Sequence, residues 1–215
     1  LLERHGILTR EAVAAEGSPG GFAAVYPVLR ALEESGRVRR GYFVEGLGAA
    51  QFALPGAVDR LRAVREAESA APLAHLLAAT DPANPYGAAL PWPRRGEDDR
   101  RPLQRAAGAS AVLIDGVPAL YLERGGSALQ TLPAADDPNI AQLAFAVLGV
   151  LVADGRQKEL LITRIDGQPV GSSAWRDRLL EAGFAPSYRG VILRSSRPAG
   201  RGDAGFVGGP RTRRA

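Results

Sequence analysis

The chain has 215 residues, 46% hydrophobic and 23% charged, with no cysteine, which suits one or two globular domains and excludes disulfide and thiolate chemistry. No run of about eighteen apolar residues occurs, so no membrane span is expected, and the opening LLERHG lacks the layout of a signal peptide, which makes a cytoplasmic location the expectation. The net charge of +4 is uneven: residues 1–68 balance nine arginines against nine acids, whereas residues 194–215 hold six arginines and one acid, so the basic excess sits in the tail.

The first residue is Leu1 and methionine is absent, which points to a piece cut from the C-terminal end of a longer protein. In chain order, Leu1 to His5 reads as the end of a helix, Ile7–Leu8 as a short strand, and Thr9 as the cap of a helix from Arg10 to about Glu16. Ser18 and Pro19 open the next helix, which carries Phe22, Val25, Leu29 and Leu32 at helical spacing and stops at Gly36. Val38 to Val44, a turn over Glu45 to Gly48, and Ala50 to Leu54 make a hairpin, and Ala57 to Glu68 a closing helix. This is the order of a winged helix, with the hairpin as the wing.

Residues 69–108 read as a linker with a strand near Leu73 to Ala79, a turn cluster DPANPYG, and a long exposed loop, PWPRRGEDDRRPLQR, over 91–105. Beyond it, strands at Ala109–Ile114 and Ala119–Glu123 flank Asp115–Gly116, a strong hairpin signal. A third strand follows over Ser127–Leu132, then a helix over Pro138–Ala153, a strand over Glu159–Ile165, a turn at Asp166–Gly167, a helix over Ser172–Ala182, and a strand over Tyr188–Arg194. The fold class expected is α+β: a winged-helix domain over 1–68, then a β-barrel-like α+β domain over 109–194. Residues 195–215 are expected to be a disordered basic tail.

The segments EGSPGGFAAVYPVLRALEESGRVRRGYFVEGLGAAQFALPGAVDRLR and ATDPANPYGAALPWP resemble the C-terminal region of the Lhr (large helicase-related) family of superfamily 2 ATP-dependent DNA helicases. GYFVEGLGAAQFALP and DPANPYG carry the resemblance most specifically, and it extends from about residue 1 to 194. It implies a last winged helix followed by a β-barrel module, attached to a 3′–5′ helicase motor that works in DNA repair. The motor itself is not in this sequence: there is no GxxxxGK[ST] and no DExH box, and the lone Lys158 sits in GRQKEL. ATP and Mg²⁺ would belong to that motor, and no cofactor is expected here. The partners implied are DNA, single-stranded or as an RNA–DNA hybrid, and the motor domains. A second copy of the chain stays open as a partner.

For nucleic-acid contact, the helix over 18–35 offers only Arg30, followed by Glu33 and Glu34, which repel phosphate. The wing is better placed. Arg37, Arg39 and Arg40 lie at its base, and Tyr42 and Phe43 alternate across a strand, so one packs inward and the other is open for stacking. In the loop, Trp92 with Arg94, Arg95, Arg100, Arg101 and Arg105 has the composition of a single-strand binder, unless Glu97, Asp98 and Asp99 pair with those arginines. His5 and His75 are isolated, so no metal site is expected. A winged helix joined to a barrel also resembles the AlkZ-type DNA glycosylases. Asp115, Glu123 and Asp166 are the carboxylates such an activity would use, although that family's QxQ motif is absent. A purely architectural or oligomerising module is the third reading.

Overall fold

The computed structural model describes residues 1–48, 50–66, 71–96, 103–155 and 157–194. Arg100, Arg101, the acids at 97–99 and the tail from Ser195 lie outside them.

The first part of the chain runs α1 (Leu2–His5), β1 (Ile7–Leu8), α2 (Arg10–Ala15), α3 (Gly21–Glu34), β2 (Arg39–Gly41), β3 (Gln51–Ala53) and α4 (Pro55–Glu66). The Thr9 hydroxyl accepts the Ala12 amide at 3.1 Å and starts α2, as its position before an apolar run predicts. Helix α3 begins two residues later than Ser18–Pro19 suggests, because Gly20 takes a left-handed conformation and serves as the cap. Strand β3 lies between β1 and β2, both antiparallel to it, with Leu8 and Arg40 opposite Phe52. Leu8, Val13, Leu29, Val38 and Phe52 form the core, and Phe22, Val25 and Leu32 of α3 pack against it. Each such side chain contributes about 2 kcal/mol by leaving water, and together they hold the wing to the helices.

The second part contains β4 (Ala74–Ala78), β5 (Ser110–Ile114), β6 (Val117–Leu122), β7 (Ala128–Thr131), α5 (Pro138–Val147), α6 (Val150–Ala153), β8 (Glu159–Ile162), β9 (Arg164–Ile165), β10 (Gln168–Pro169), α7 (Arg176–Glu181), β11 (Ala185–Ser187) and β12 (Gly190–Arg194). The chain is therefore α+β. One sheet has the order β10-β9-β7-β6-β5-β4 and the other β11-β12-β8. The two sheets join where the expected 159–165 strand divides. Leu160 to Ile162 pairs with β12, Thr163 turns its amide to Ser127 O, and Arg164–Ile165 runs parallel to β7.

Both Asp–Gly turns form: Asp115–Gly116 has φ of 48° and 80°, and Asp166–Gly167 has 51° and 81°, the left-handed pair that tight hairpins require. The helix expected over 138–153 is broken at Leu148–Gly149, where the amides bond three residues back rather than four. The helix expected from Ser172 starts only at Arg176, after a short 3₁₀ turn.

Strands β5 and β6 are buried on both faces. Val112, Ile114, Leu120 and Leu122 pack with Phe145 and Leu148 of the α5 side. Ala111, Leu113 and Tyr121 pack on the other side, under Trp92 and Ala79. In the segment expected to be an exposed loop, Trp92 and Leu103 thus cover a sheet face, while Pro91, Arg94, Arg95, Gly96 and Gln104 are exposed as expected. Ala89, just before this segment, packs against the winged-helix core.

Candidate nucleic-acid interface

The wing is short in ladder and long in loop. After Gly41 the chain leaves the strand pairing, and a buried amide replaces it. Gln51 is fully buried on β3. Its Oε1 accepts the amides of Phe43 and Val44, both at 2.8 Å, and its Nε2 donates to Val44 O at 2.9 Å and Leu47 O at 3.3 Å. The loop backbone is satisfied by one side chain in place of a second strand.

This arrangement decides the two aromatics. Phe43 folds over Gly41, where a Cβ would lie 3.0 Å from its ring. Tyr42 points outward at 88% exposure. Arg37 and Arg39 are exposed and make no ion pair among the described residues. Arg40 is paired with Glu33 at 3.1 Å, and Arg30 with Glu34 at 3.0 Å. Of the wing candidates, the structure leaves Arg37, Arg39 and Tyr42 with open functional groups.

The loop candidates divide differently. Trp92 is not an open stacking platform: it is 9% exposed, stacked on Tyr86 at 5.8 Å and edge-on to Tyr121 at 5.4 Å. An indole is large and apolar, and the exposed second face of the β-sheet is where it gains most from burial. Gly87, at φ +76°, is placed under it, since a Cβ there would lie 2.5 Å from the indole nitrogen. Arg95 is held by Asp136, by Thr131 Oγ1 at 2.9 Å and by Leu132 O at 3.2 Å. Arg105 donates to the carbonyls of Asn84, Thr80 and Asp81. Both arginines are committed to bonds within the protein, Arg95 while still exposed and Arg105 while half-buried. Arg94 is exposed and lines a cavity of about 650 Å³, between the wing turn at Gly46–Leu47 and the Trp92 segment.

The three glycosylase candidates are not gathered. Asp115 and Glu123 flank opposite ends of β6, which at strand rise separates them by about 20 Å. Asp115 accepts the Leu73 amide at 2.8 Å, and Glu123 accepts from Gln130 Nε2 at 2.7 Å. Asp166 accepts the Thr131 amide at 2.8 Å and its hydroxyl at 2.7 Å. Among the described residues no group of three or more His, Cys, Asp or Glu side chains could hold a metal. His5 is 2.9 Å from Glu16, and that hydrogen bond, with the Arg4 guanidinium, holds the Glu16 carboxyl below its ordinary range.

Residues 1–73 match a family model described as the winged-helix domain of large helicase-related protein. The chain belongs to the Lhr family. It is 47% identical over 204 residues to a protein of Mycolicibacterium smegmatis named Lhr helicase/probable uracil glycosylase, covering 90% of this chain and 13% of that protein. It is 37% identical over 195 residues to the Escherichia coli Lhr helicase/uracil glycosylase, covering 89% of this chain and 12% of that protein. The chain thus spans about an eighth of the length of these relatives. No helix among the described residues is long and apolar enough to cross a membrane.

Two features of this Lhr segment were not read from its sequence. Gln51 is one; a lone amide in the apolar run AAQFALP was the available signal. Glu11 is the other. Its Oε2 is buried and without a hydrogen-bond partner, and the residue lines the cavity at the wing turn. Nothing local marks it, because the cavity is built from segments far apart in the chain.

Proposed function

We propose that this segment binds nucleic acid for an Lhr-type, ATP-dependent 3′–5′ DNA helicase acting in DNA repair, while ATP and Mg²⁺ are held by the motor domains. The observation that carries this reading is the open set Arg37, Arg39 and Tyr42 on one wing: two guanidinium groups free of ion pairs for phosphates and one exposed ring for a base. The helix α3 contributes packing, and Ala89 against its core couples the wing to the second sheet system. The partner is DNA, single-stranded or as an RNA–DNA hybrid. Fluorescence anisotropy with a labelled oligonucleotide tests it. Replacing Arg37 and Arg39 together with alanine is expected to weaken binding without lowering the unfolding midpoint, and unchanged affinity contradicts the assignment.

A second reading rests on two observations: both relatives carry uracil glycosylase in their names, and a buried, unpaired carboxylate oxygen borders a cavity beside the wing. Base excision cleaves the glycosidic C–N bond as water adds at C1′, and it needs a group that holds the water or faces the developing cation. Glu11 meets that condition better than Asp115, Glu123 or Asp166, which are committed to turns and cross-strand bonds. Incubation with uracil-containing DNA decides it. Release of free uracil that is lost in Glu11→Gln supports this reading, and no release from the unmodified chain ends it.

A further inference from the structure

We infer that a single nucleic-acid strand continues from the wing onto the N-terminal half of α3, along Tyr42, Ala50, Tyr26, Phe22 and Arg10. The inference rests on the nucleic-acid reading above and adds Phe22, Tyr26 and Arg10 to the wing residues. Two surface depressions mark the path. One, of about 350 Å³, is lined by Arg40, Gly41, Tyr42 and Ala50. The other, of about 690 Å³, is lined by Arg10, Phe22, Tyr26 and the same Ala50. Ala50 lines both, so the two depressions adjoin at that residue.

The chemistry along it is that of a single-strand binder. Phe22 and Tyr26 are half-buried, with ring centroids 5.9 Å apart, and Tyr26 meets Phe52 of the core edge-on at 5.9 Å. They are anchored from below and open above. The Arg10 guanidinium carbon lies 5.9 Å from the Phe22 ring centre, and Arg10 is exposed with no ion pair among the described residues. A guanidinium held over a ring can meet a phosphate while the neighbouring ring takes a base.

Charge selects the route. Residues 21–29 of α3 contain no acid, whereas Glu33 and Glu34 stand at its far end. A strand that followed the C-terminal half of α3 would face both carboxylates. One that turned at Ala50 toward Arg10 would leave Glu34 behind and pass Glu33 only where Arg40 pairs with it, beside the wing depression. A duplex keeps its bases stacked and would leave Tyr42, Tyr26 and Phe22 without partners, so an unpaired strand fits this surface and a duplex does not.

The test is anisotropy of the complete chain with a labelled thymidine oligonucleotide and with a hairpin duplex, across a salt series. The strand is expected to bind more tightly than the duplex. Arg10→Ala is expected to weaken strand binding and to flatten the slope of log affinity against log salt by about 0.7, the value for one phosphate contact on a single strand. Tyr42→Ala is expected to lower affinity about tenfold with the slope unchanged, and Tyr42→Trp to restore it. Arg62→Ala, on α4 and paired with Asp59, serves as the neutral control. If the Arg37/Arg39 double variant loses affinity while Arg10→Ala keeps both affinity and slope, the path is wrong and the wing reading survives. Equal or tighter duplex binding also overturns the path. No binding by the unmodified chain at low salt overturns both.

Discussion

Gln51 shows what a single buried amide can hold. Two backbone amides and two carbonyls of the wing depend on it, and no strand is available to replace it. Gln51→Leu keeps the volume and removes every bond, so it is expected to cost about 2 kcal/mol in urea unfolding, because the Phe43 and Val44 amides lose their acceptor. A change below the error of that measurement would mean that water satisfies the loop. The turn aspartates make a matching case. Asp115 sits at φ 48°, which asparagine tolerates and β-branched residues do not. Asp115→Asn is therefore expected to be near neutral, and Asp115→Val to cost about 2 kcal/mol. If Asp115→Val abolished an activity at unchanged stability, a catalytic role would replace the structural one. These two turns were legible in the sequence because Asp–Gly carries its own backbone requirement. Gln51 was not, because its partners are defined only once the wing loop has closed on it.

At the scale of elements, the winged-helix order could be read along the chain because each piece announces itself locally: Thr9 as a cap, glycines as stops, and Phe22, Val25, Leu29 and Leu32 at helical spacing. The segment around Trp92 misled for the opposite reason. Its prolines and arginines have the composition of a loop, and it is a loop, but the second face of β5 and β6 was not visible in the sequence as a surface needing cover. Alternation along Ala111, Val112, Leu113 and Ile114 gives apolar residues to both faces, and something must lie on each. Trp92→Ala should therefore behave as a core truncation, costing about 3–5 kcal/mol. The remaining folded protein should keep its affinity for single strands. Loss of affinity without loss of stability would restore Trp92 as a contact. The same cluster predicts alkaline sensitivity. Burial raises the pKa of Tyr86 and Tyr121 above their ordinary value. Folding therefore favours the neutral phenols, and this contribution is complete below pH about 10 and is lost as pH rises through the raised values. The melting temperature is expected to fall over that range. It should fall less in Tyr121→Phe, which keeps the ring and gives up only the hydrogen bond to Gln104 O at 2.7 Å.

For the whole molecule, net charge is a poor guide to the interface. The basic excess of the sequence lies in residues 194–215, and within it Arg194 is paired with Glu159 at 3.2 Å. In the winged-helix part, arginines and acids balance, yet Arg40 and Arg30 are neutralised by Glu33 and Glu34 while Arg10, Arg37 and Arg39 are not. Which arginines are open depends on tertiary placement, so the wing could be found in the sequence but its open cations could not. Phosphate contacts from Arg10, Arg37 and Arg39, with stacking on Tyr42, are proposed to account for binding. The most direct measurement is the affinity of the complete chain for a single-stranded oligonucleotide as salt is raised. A linear fall of log affinity with log salt is expected, with a slope of about −2 for contacts from Arg10, Arg37 and Arg39, flattened toward zero in the triple alanine variant of these residues. A steep slope that survives in the triple variant, or an affinity indifferent to salt, would contradict it.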